Sequence, residues 1–407
     1  MMTREMRSTP LSQARRWVIA ALVLAIAVPH AGHAQTPKKD EQFATSTPFA
    51  ILIDADSGTV LFEKNADRLM DPESMAKLMT VELVLSKLKQ GDIKPDDEFT
   101  ISENAWRRGG APSHTSTMYA AINSRVKVID LLQGAIIQSG NDACIALAEG
   151  IAGNEGTFAQ QMTDRARELG LTKSVFTNAT GLPDPATKVT ARELAQLAQH
   201  LIHTYPDSYR LFGEKEFTWN KIRQQNRNPL LAMGVGADGL KTGFTREGGY
   251  GLVGSAVQNG LRLIVVVNGV KTAKERADEA RKLLEWGFRS FESRLLFAEG
   301  ETVGEAKLYG GASGHVPLVG DSAIRLLVPR NTPDKIVARF VYTGPVPAPV
   351  EKGQSIGKLK IWRGDNVVLE VPLQAAENIG RGTLPQRAFD AATELVINLF
   401  RAGIERL

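Results

Sequence analysis

The sequence feature that most constrains the fold is a pair of apolar runs joined by Asn259-Gly260. The runs cover residues 250–257 and 261–268. Because an Asn-Gly pair adopts the tight turn that suits two antiparallel strands, these runs are predicted to form a β-hairpin. A hairpin this apolar needs a sheet whose faces are covered by other elements.

A second hairpin and several helices are predicted upstream and downstream of the first. Asp56-Ser-Gly58 lies between the runs 49–54 and 59–63, which indicates a hairpin near the start of the globular sequence. Helical spacing of apolar residues occurs from Ser74 to about Gly91, at 128–152 with a break at 138–142, at 191–203 and at 275–291. This order predicts an α+β domain in which one antiparallel sheet is flanked by helices.

The sequence changes character after about residue 294. Short alternating runs at 325–329, 337–341 and 367–371, interrupted by Gly and Pro, predict a small all-β domain. Residues 385–407 return to helical spacing, with apolar residues on one side and polar residues on the other. Such an amphipathic helix packs on a domain or a partner, or lies in the plane of a membrane surface, and the pattern leaves both open.

The N-terminus has the pattern of an export signal. Four arginines precede the apolar run 18–28, and small residues follow at Gly32-His-Ala34. This arrangement predicts a signal peptide over residues 1–34, with a retained anchor as the alternative. Removing these residues takes away the four arginines and Glu5, so the formal net charge falls from +4 to +1. No basic stripe is left, and nucleic acid is not expected as a partner.

The length of the chain, 407 residues, exceeds that of one ordinary core, so more than one domain is expected. The predicted order is a signal peptide (1–34), the sheet-and-helix domain (35–293), a β-rich domain (294–382) and an amphipathic membrane-associating helix (383–407).

Ser74 and Lys77 are a candidate nucleophile and its base. They lie three residues apart after Pro72, which suits the first turn of a helix, so both side chains are expected on one face. Lysine can take a serine proton only as the neutral amine. The spacing alone is weak, because it recurs in three other pairs: Ser86/Lys89, Ser124/Lys127 and Ser355/Lys358.

Two further short motifs follow Ser74. Ser139-Gly-Asn141 lies at the break in the helix predicted for 128–152, although Ser102-Glu-Asn104 has the same form. Lys241-Thr-Gly243 occurs once, just before the Asn-Gly hairpin. The order Ser-x-x-Lys, Ser-x-Asn, Lys-Thr-Gly is the set found in serine β-lactamases and penicillin-binding proteins.

Longer strings narrow the likeness. Residues 68–80, 138–144 and 238–245 resemble those of the low-molecular-mass penicillin-binding proteins, which are serine-type D-alanyl-D-alanine carboxypeptidases. The likeness covers nearly all the chain after residue 34. It implies a serine β-lactamase/transpeptidase-like domain at 35–293 that removes the terminal D-alanine from peptidoglycan stem pentapeptides. The same resemblance implies an acyl-enzyme intermediate and covalent binding of penicillin and other β-lactams.

The resemblance also implies roles in acyl transfer. Ser74 is the expected nucleophile and Lys77 the expected base. Ser139 is expected to relay a proton toward the leaving amine, and Asn141 to hold the substrate amide. The backbone N–H groups of Ser74 and Phe244 are the expected oxyanion hole.

The terminal carboxylate of the substrate is expected to bind at Lys241 and Thr242. Lys241 is also expected to keep Lys77 neutral by like-charge repulsion. Gly243 is expected to let the substrate backbone lie against the strand. Arg227 matches a family arginine that supports carboxylate binding, although a proline follows two residues later where the family has glycine.

Two other functions share these motifs, namely a serine β-lactamase and a non-catalytic β-lactam or cell-wall sensor. We find no Glu-x-x-x-Asn element where β-lactamases place their deacylating glutamate, and the three complete motifs count against a sensor. The expected location is the periplasm, peripheral on the outer face of the cytoplasmic membrane, with the helix 383–407 on the membrane surface.

Neither a cofactor nor a metal ion is expected. His200 and His203 are one helical turn apart, but no third ligand accompanies them, so we interpret them as surface histidines. Cys144 is the single cysteine and excludes an intrachain disulfide. Because it follows Asn141 by three residues, we interpret it as a small buried residue near the site.

Overall fold

The computed structural model describes residues 43–330, 336–364 and 366–393. These residues form two compact units, divided between Glu292 and Ser293. The signal peptide predicted for 1–34 lies outside the described residues. Of the predicted terminal helix, residues 384–393 are helical and the remainder lies outside the described ranges. Within those ranges, no helix combines the length and the apolar character needed to cross a membrane.

The first unit mixes strands and helices. Its elements, in chain order, are β1 (Phe49–Asp54), β2 (Val60–Lys64), α1 (Lys77–Gln90), β3 (Glu98–Thr100), α2 (Glu103–Gly109), β4 (Arg125–Lys127), α3 (Val128–Ile137), α4 (Asn141–Ala152), α5 (Glu155–Glu168), α6 (Ala191–Thr204), α7 (Pro206–Tyr209), β5 (Glu216–Trp219), β6 (Ile222–Gln225), β7 (Ala237–Thr245), β8 (Gly249–Gln258), β9 (Leu261–Val270) and α8 (Ala273–Ser290).

The main sheet of this unit has the strand order β2-β1-β9-β8-β7, and neighbouring strands run antiparallel. The predicted hairpins are confirmed as β1–β2 and β8–β9. At the β8–β9 turn, Asn259 and Gly260 both have positive φ, of 51° and 76°, as the tightest hairpin turn requires. Two short ladders, β3–β4 and β5–β6, lie apart from this sheet.

Helices cover both faces of the sheet, as predicted. Side chains alternate between the faces along each strand, so neighbouring residues belong to different packing layers. Ile51 and Ile264 join the large core that also contains α1, α3, α4 and α6. Leu52 and Leu263 lie instead against Gly287 of α8.

Helix α1 runs through the centre of the unit. Its residues from Lys77 to Ser86 are all buried, which is typical of a helix surrounded by other elements and not of a surface helix. It ends at Gly91, whose φ of 80° provides the left-handed cap. The predicted helix at 128–152 is broken as expected, because α3 ends at Ile137 and α4 begins at Asn141.

The second unit is built from strands, as predicted: β10 (Phe291–Phe297), β11 (Gly304–Tyr309), β12 (His315–Val319), β13 (Ile324–Pro329), β14 (Ile336–Tyr342), β15 (Val346–Pro347), β16 (Ser355–Arg363) and β17 (Asn366–Ala375). Six of them form a sheet in the order β14-β16-β17-β12-β11-β15, and β10 pairs with β13. The buried side chains of this unit form their own core, which includes Val316, Leu359, Ile361 and Leu373.

Candidate active site

Ser74 and Lys77 meet at the start of the central helix. Ser74 lies in a short 3-10 helix, Glu73–Ala76, that runs directly into α1, and Lys77 is the first residue of α1. Because a 3-10 helix brings residues i and i+3 into line, the amine reaches the hydroxyl. Lys77 Nζ lies 3.0 Å from Ser74 Oγ. Ser74 is half-buried, whereas Lys77 is fully buried.

The surroundings of the Lys77 amine favour its neutral form. Burial lowers the pKa of Lys77 to about 8, and the positive charge of Arg227 acts in the same direction, against Cys144 and Asp142. The amine also donates a hydrogen bond to the carbonyl oxygen of Thr180 at 2.5 Å. This second contact fixes the amine where it faces the serine.

The lysines of the other Ser-x-x-Lys pairs contact groups elsewhere. Their Nζ atoms donate as follows: Lys89 to the Thr204 carbonyl at 3.4 Å, Lys127 to Asp96 at 2.7 Å and Lys358 to Glu370 at 2.7 Å. The Ser-x-x-Lys spacing alone therefore does not predict a contact between the lysine amine and the serine hydroxyl.

The Ser139-Gly-Asn141 turn carries polar atoms that no protein group satisfies. Ser139 has a φ of 63°, is 2% exposed and lies between α3 and α4. Asn141 donates through Nδ2 to Thr115 Oγ1 at 3.0 Å. Among the described residues, Ser139 Oγ and Asn141 Oδ1 have no hydrogen-bond partner. Leaving such an atom unpaired costs about 1–3 kcal/mol, so both are suited to receive a ligand. The similar Ser102 only caps α2, accepting from Ala105 N at 2.9 Å.

The Lys241-Thr-Gly243 motif lies on β7, the outermost strand of the sheet. No described strand pairs with the outer edge of β7. Lys241 and Thr242 are 2% and 7% exposed, whereas Phe244 is 50% exposed. An open strand edge can accept an extended peptide through backbone hydrogen bonds, so β7 is suited to hold a peptide substrate.

Positive charges in the cleft lower the pKa of both Lys77 and Lys241, but the predicted effect of Lys241 on Lys77 is not the one found. Burial lowers the pKa of Lys241 well below its usual range, and Lys77 and Arg227 lower it further. On Lys77, by contrast, the like charge that matters is that of Arg227. Two buried amines and the exposed Arg227 guanidinium thus act on one another, and this positive potential favours an anionic ligand.

Because Gly243 has no side chain, residues Pro72 and Glu73 can lie against β7 at this position. A Cβ atom at this position would lie 3.0 Å from Glu73 Cβ and 3.2 Å from the Pro72 carbonyl oxygen. The prediction assigned this space to the substrate backbone. The structure fills it with the turn that carries Ser74.

Ser116 links two of the predicted site residues. Arg227 donates through Nη1 to Ser116 Oγ at 2.8 Å, and the backbone N–H of Asn141 donates to the Ser116 carbonyl oxygen at 2.7 Å. Because the charge of Arg227 also acts on Lys77 and Lys241, the segments that carry these residues converge on one cleft.

Sequence reasoning missed Thr180 and Ser116 as site residues. Thr180 is placed by a turn in which Asn178 Oδ1 accepts hydrogen bonds from the N–H groups of Thr180 and Gly181, at 3.1 and 2.7 Å. The string Asn178-Ala-Thr-Gly181 is a turn signal that the sequence does contain. We find no comparable signal for Ser116.

The remaining sequence interpretations have mixed outcomes. Cys144 is fully buried, and burial raises the pKa of its thiol to about 11, so its interpretation as a buried residue near the site is confirmed. His203 is exposed, as interpreted. His200 is only half-exposed and contacts Glu82 at 3.2 Å, so calling it a surface histidine was wrong.

Comparison with known proteins shows the family of the chain. Residues 34–272 match the family model described as D-alanyl-D-alanine carboxypeptidase, and residues 291–381 match the one described as penicillin-binding protein 5, C-terminal domain. The chain is 41% identical to the D-alanyl-D-alanine carboxypeptidase DacC of Escherichia coli over 343 residues, which are 84% of this chain and 86% of that protein.

Two solved structures extend the comparison. Penicillin-binding protein 5 from Haemophilus influenzae has a TM-score of 0.74 and 37% identity, covering 86% of this chain and 100% of that one. Penicillin-binding protein D2 from Listeria monocytogenes, solved in its ampicillin-bound form, has a TM-score of 0.55 and 30% identity, covering 61% of this chain and 99% of that one. The expected penicillin-binding-protein fold is thereby confirmed. The chain belongs to the D-alanyl-D-alanine carboxypeptidase family of serine peptidases.

Proposed function

We propose that this protein is a serine-type D-alanyl-D-alanine carboxypeptidase that removes the terminal D-alanine from peptidoglycan stem pentapeptides. The observation that carries the proposal is the contact of 3.0 Å between Lys77 Nζ and Ser74 Oγ, made by a buried amine whose pKa is lowered to about 8. A serine next to a neutral amine is a nucleophile for acyl transfer.

Acylation follows from the placement of these groups. Ser74 Oγ attacks the carbonyl carbon of the bond between the two D-alanines, and its proton passes to Lys77 Nζ. The oxyanion is received by the backbone N–H groups of Ser74 and Phe244. The C–N bond then breaks, and a proton delivered from Lys77 through Ser139 leaves with D-alanine. Water attacks the resulting ester, which releases the shortened peptide and restores the Ser74 hydroxyl.

Substrate binding is assigned to the polar atoms that the cleft leaves available. The terminal carboxylate binds Lys241 and Thr242, supported by Arg227. The unpartnered Oδ1 of Asn141 accepts from the substrate amide. The substrate backbone runs along the open edge of β7. A β-lactam enters the same cleft, with its ring carbonyl at Ser74 and its carboxylate at Lys241.

Two assays on one preparation test this function. The purified protein is incubated with a stem pentapeptide, and free D-alanine is measured; a parallel sample is labelled with a fluorescent penicillin, and the lifetime of the adduct is followed on a gel. We expect D-alanine release together with a long-lived adduct. Rapid hydrolysis of the drug without peptide cleavage would assign a β-lactamase instead, and an adduct without D-alanine release would assign a sensor.

We further propose that the protein is exported to the periplasm through the signal peptide 1–34 and lies on the outer face of the cytoplasmic membrane. The helical residues 384–393 support attachment by the C-terminal segment, because Leu384 and Phe389 are 78% and 74% exposed. In the sequence, apolar residues continue at helical spacing through Leu399 to Leu407. The positions between them include charged residues of both signs. Attachment would therefore be mainly hydrophobic.

Removing residues 394–407 is expected to release the enzyme from membranes and to leave its activity on soluble pentapeptide within about twofold of the full chain, since the cleft lies in the other unit. This truncation keeps Asp390, which accepts a hydrogen bond from Gly310 N at 2.8 Å. Flotation with vesicles of phosphatidylethanolamine and phosphatidylglycerol measures the attachment.

A matched pair of substitutions controls for the loss of chain length. Leu399→Glu places a charge on the apolar side and is expected to weaken vesicle binding about tenfold, whereas Asn398→Glu adds the same charge on the polar side and should have little effect. Equal binding by all four proteins would contradict the membrane assignment and leave the enzymatic one intact.

A further inference from the structure

Glu73, the residue before the nucleophile, is a buried carboxyl group with no role in the reaction described above. It is 1% exposed and has a φ of 46°, a left-handed conformation that few residues other than glycine adopt. Among the described residues, neither Oε1 nor Oε2 has a hydrogen-bond partner. A buried and unpaired carboxylate is so costly that such a group needs an explanation.

The carboxyl group lies between the turn that carries Ser74 and the end of β7. A Cβ atom on Gly243 would lie 3.2 Å from Glu73 Oε2, and one on Gly248 would lie 1.9 Å from Oε1. A side chain at position 248 would displace the carboxyl group from this place, and one at position 243 would crowd it. The two amides assigned to the oxyanion hole follow directly in the chain, since Ser74 comes after Glu73 and Phe244 comes after Gly243.

Asn268 on β9 supplies a second unpaired acceptor beside this carboxyl. A Cβ atom on Gly251 would lie 2.3 Å from Asn268 Oδ1, and Gly251 pairs directly with Gly243, where a Cβ would lie against Glu73. Its Nδ2 donates to the Asp71 carbonyl oxygen at 3.0 Å, and its buried Oδ1 has no partner among the described residues. Rotating the amide would turn Oδ1 toward the Asp71 carbonyl, placing two acceptors against each other. A proton on the Glu73 carboxyl is the simplest donor that satisfies both residues.

We propose that Glu73 is a positioning residue that is held as a neutral carboxylic acid and donates its proton to Asn268 Oδ1, which ties the turn bearing Ser74 to the central sheet without placing a negative charge behind the oxyanion hole. The proposal rests on the proposed function, because it assigns the oxyanion hole to the amides of Ser74 and Phe244.

The surrounding charges agree with a neutral Glu73. Burial raises the pKa of Glu73 to about 9, and the negative charge of Asp71 raises it further, against Asn268 and Lys188. Lys188 is itself paired with Asp71. The adjoining elements also carry Lys77 at the start of α1, Asp238 and Lys241 on β7, Arg262 on β9, and Arg246 and Glu247 in the turn after β7.

Ionisation of Glu73 would oppose acylation in two ways. It would place a negative charge next to the position where the oxyanion develops, and it would remove the proton that ties the turn to Asn268. The rate of acylation should therefore fall at alkaline pH, after rising as Lys77 becomes neutral. Replacing the acid with an amide keeps a donor and removes the charge.

The first test measures the rate of acylation by a fluorescent penicillin between about pH 7 and pH 10. In the wild type we expect an alkaline decline of at least about tenfold. Glu73→Gln should abolish this decline, and Glu73→Ala, which has neither donor nor charge, should be about tenfold slower than Glu73→Gln at neutral pH. Glu247→Gln removes a negative charge from the exposed turn nearby and should keep the decline.

The outcomes separate this inference from the proposed function. If the wild type is not labelled at any pH, the proposed function fails. If labelling occurs but the alkaline decline persists unchanged in Glu73→Gln, titration of another group such as Lys241 explains it and the role of Glu73 is refuted.

A second measurement does not depend on activity. Because the pKa of Glu73 is raised in the folded protein, the wild type should lose stability relative to Glu73→Gln and Glu73→Ala as pH rises from about 4.5 to about 9. The Tm of the wild type minus that of either variant should therefore decrease over this range and level off above it. A gap that is constant with pH would show that Glu73 is ionised in the folded protein and would overturn the proposal.

Discussion

Ser74→Ala is expected to abolish both penicillin labelling and D-alanine release. The substitution removes the oxygen atom that would form the acyl-enzyme, so no covalent adduct can form at this position. It removes few packing contacts, because the side chain is small and half-buried. We expect at least about a thousandfold loss of pentapeptide cleavage, at an unchanged Tm. Gel labelling, a D-alanine assay and a thermal melt measure the three quantities.

The other Ser-x-x-Lys serines provide matched controls. Ser124→Ala and Ser355→Ala change the same residue type in the same sequence context, but Lys127 and Lys358 there are bound to carboxylates. Both variants should label and cleave as the wild type does. Labelling that survives in Ser74→Ala, or that disappears in Ser124→Ala, would move the nucleophile to a different serine.

Local signals account for the parts of the fold that were predicted. The Asn259-Gly260 turn predicts β8 and β9 because its backbone geometry suits one kind of connection, and Gly91 marks the end of α1 for the same reason. Helix α5 was missed. Its buried side is narrow and its sequence is mostly polar, although Asn154 caps it by accepting from Thr157 N at 2.8 Å.

The sequence predicted those site residues that lie in short motifs of side chains, but not the contacts made by backbone atoms. Ser74, Lys77, Ser139 and Lys241 lie in short patterns that sequence alone can show. The contact between Lys77 and the Thr180 carbonyl uses a backbone atom 103 residues away, and any residue type supplies such an atom. The space beside Gly243 was assigned to the substrate because no sequence pattern reveals that Glu73 occupies it.

Lys77→Met is expected to lower the rate of acylation at least about a thousandfold, since it removes the base but keeps a side chain of similar length. The protein should still fold. Burial lowers the pKa of Lys77 from its ordinary 10.5 to about 8, so burying the ammonium costs about 3 kcal/mol at neutral pH. Methionine removes this cost, which offsets the lost hydrogen bond to Thr180. A thermal melt checks the folding, and Lys89→Met on the same helix serves as the control.

The pH profile of acylation distinguishes loss of the base from general damage to the cleft. Because the folded-state pKa of Lys77 is about 8, the neutral amine becomes scarcer by about tenfold for each pH unit below that value, and wild-type acylation should fall in the same proportion. Lys77→Met should show a residual rate without this acidic decline. A variant that stays slow yet keeps the wild-type decline below pH 8 would mean that another group accepts the Ser74 proton, and the contact between Ser74 and Lys77 would then serve only to position the nucleophile.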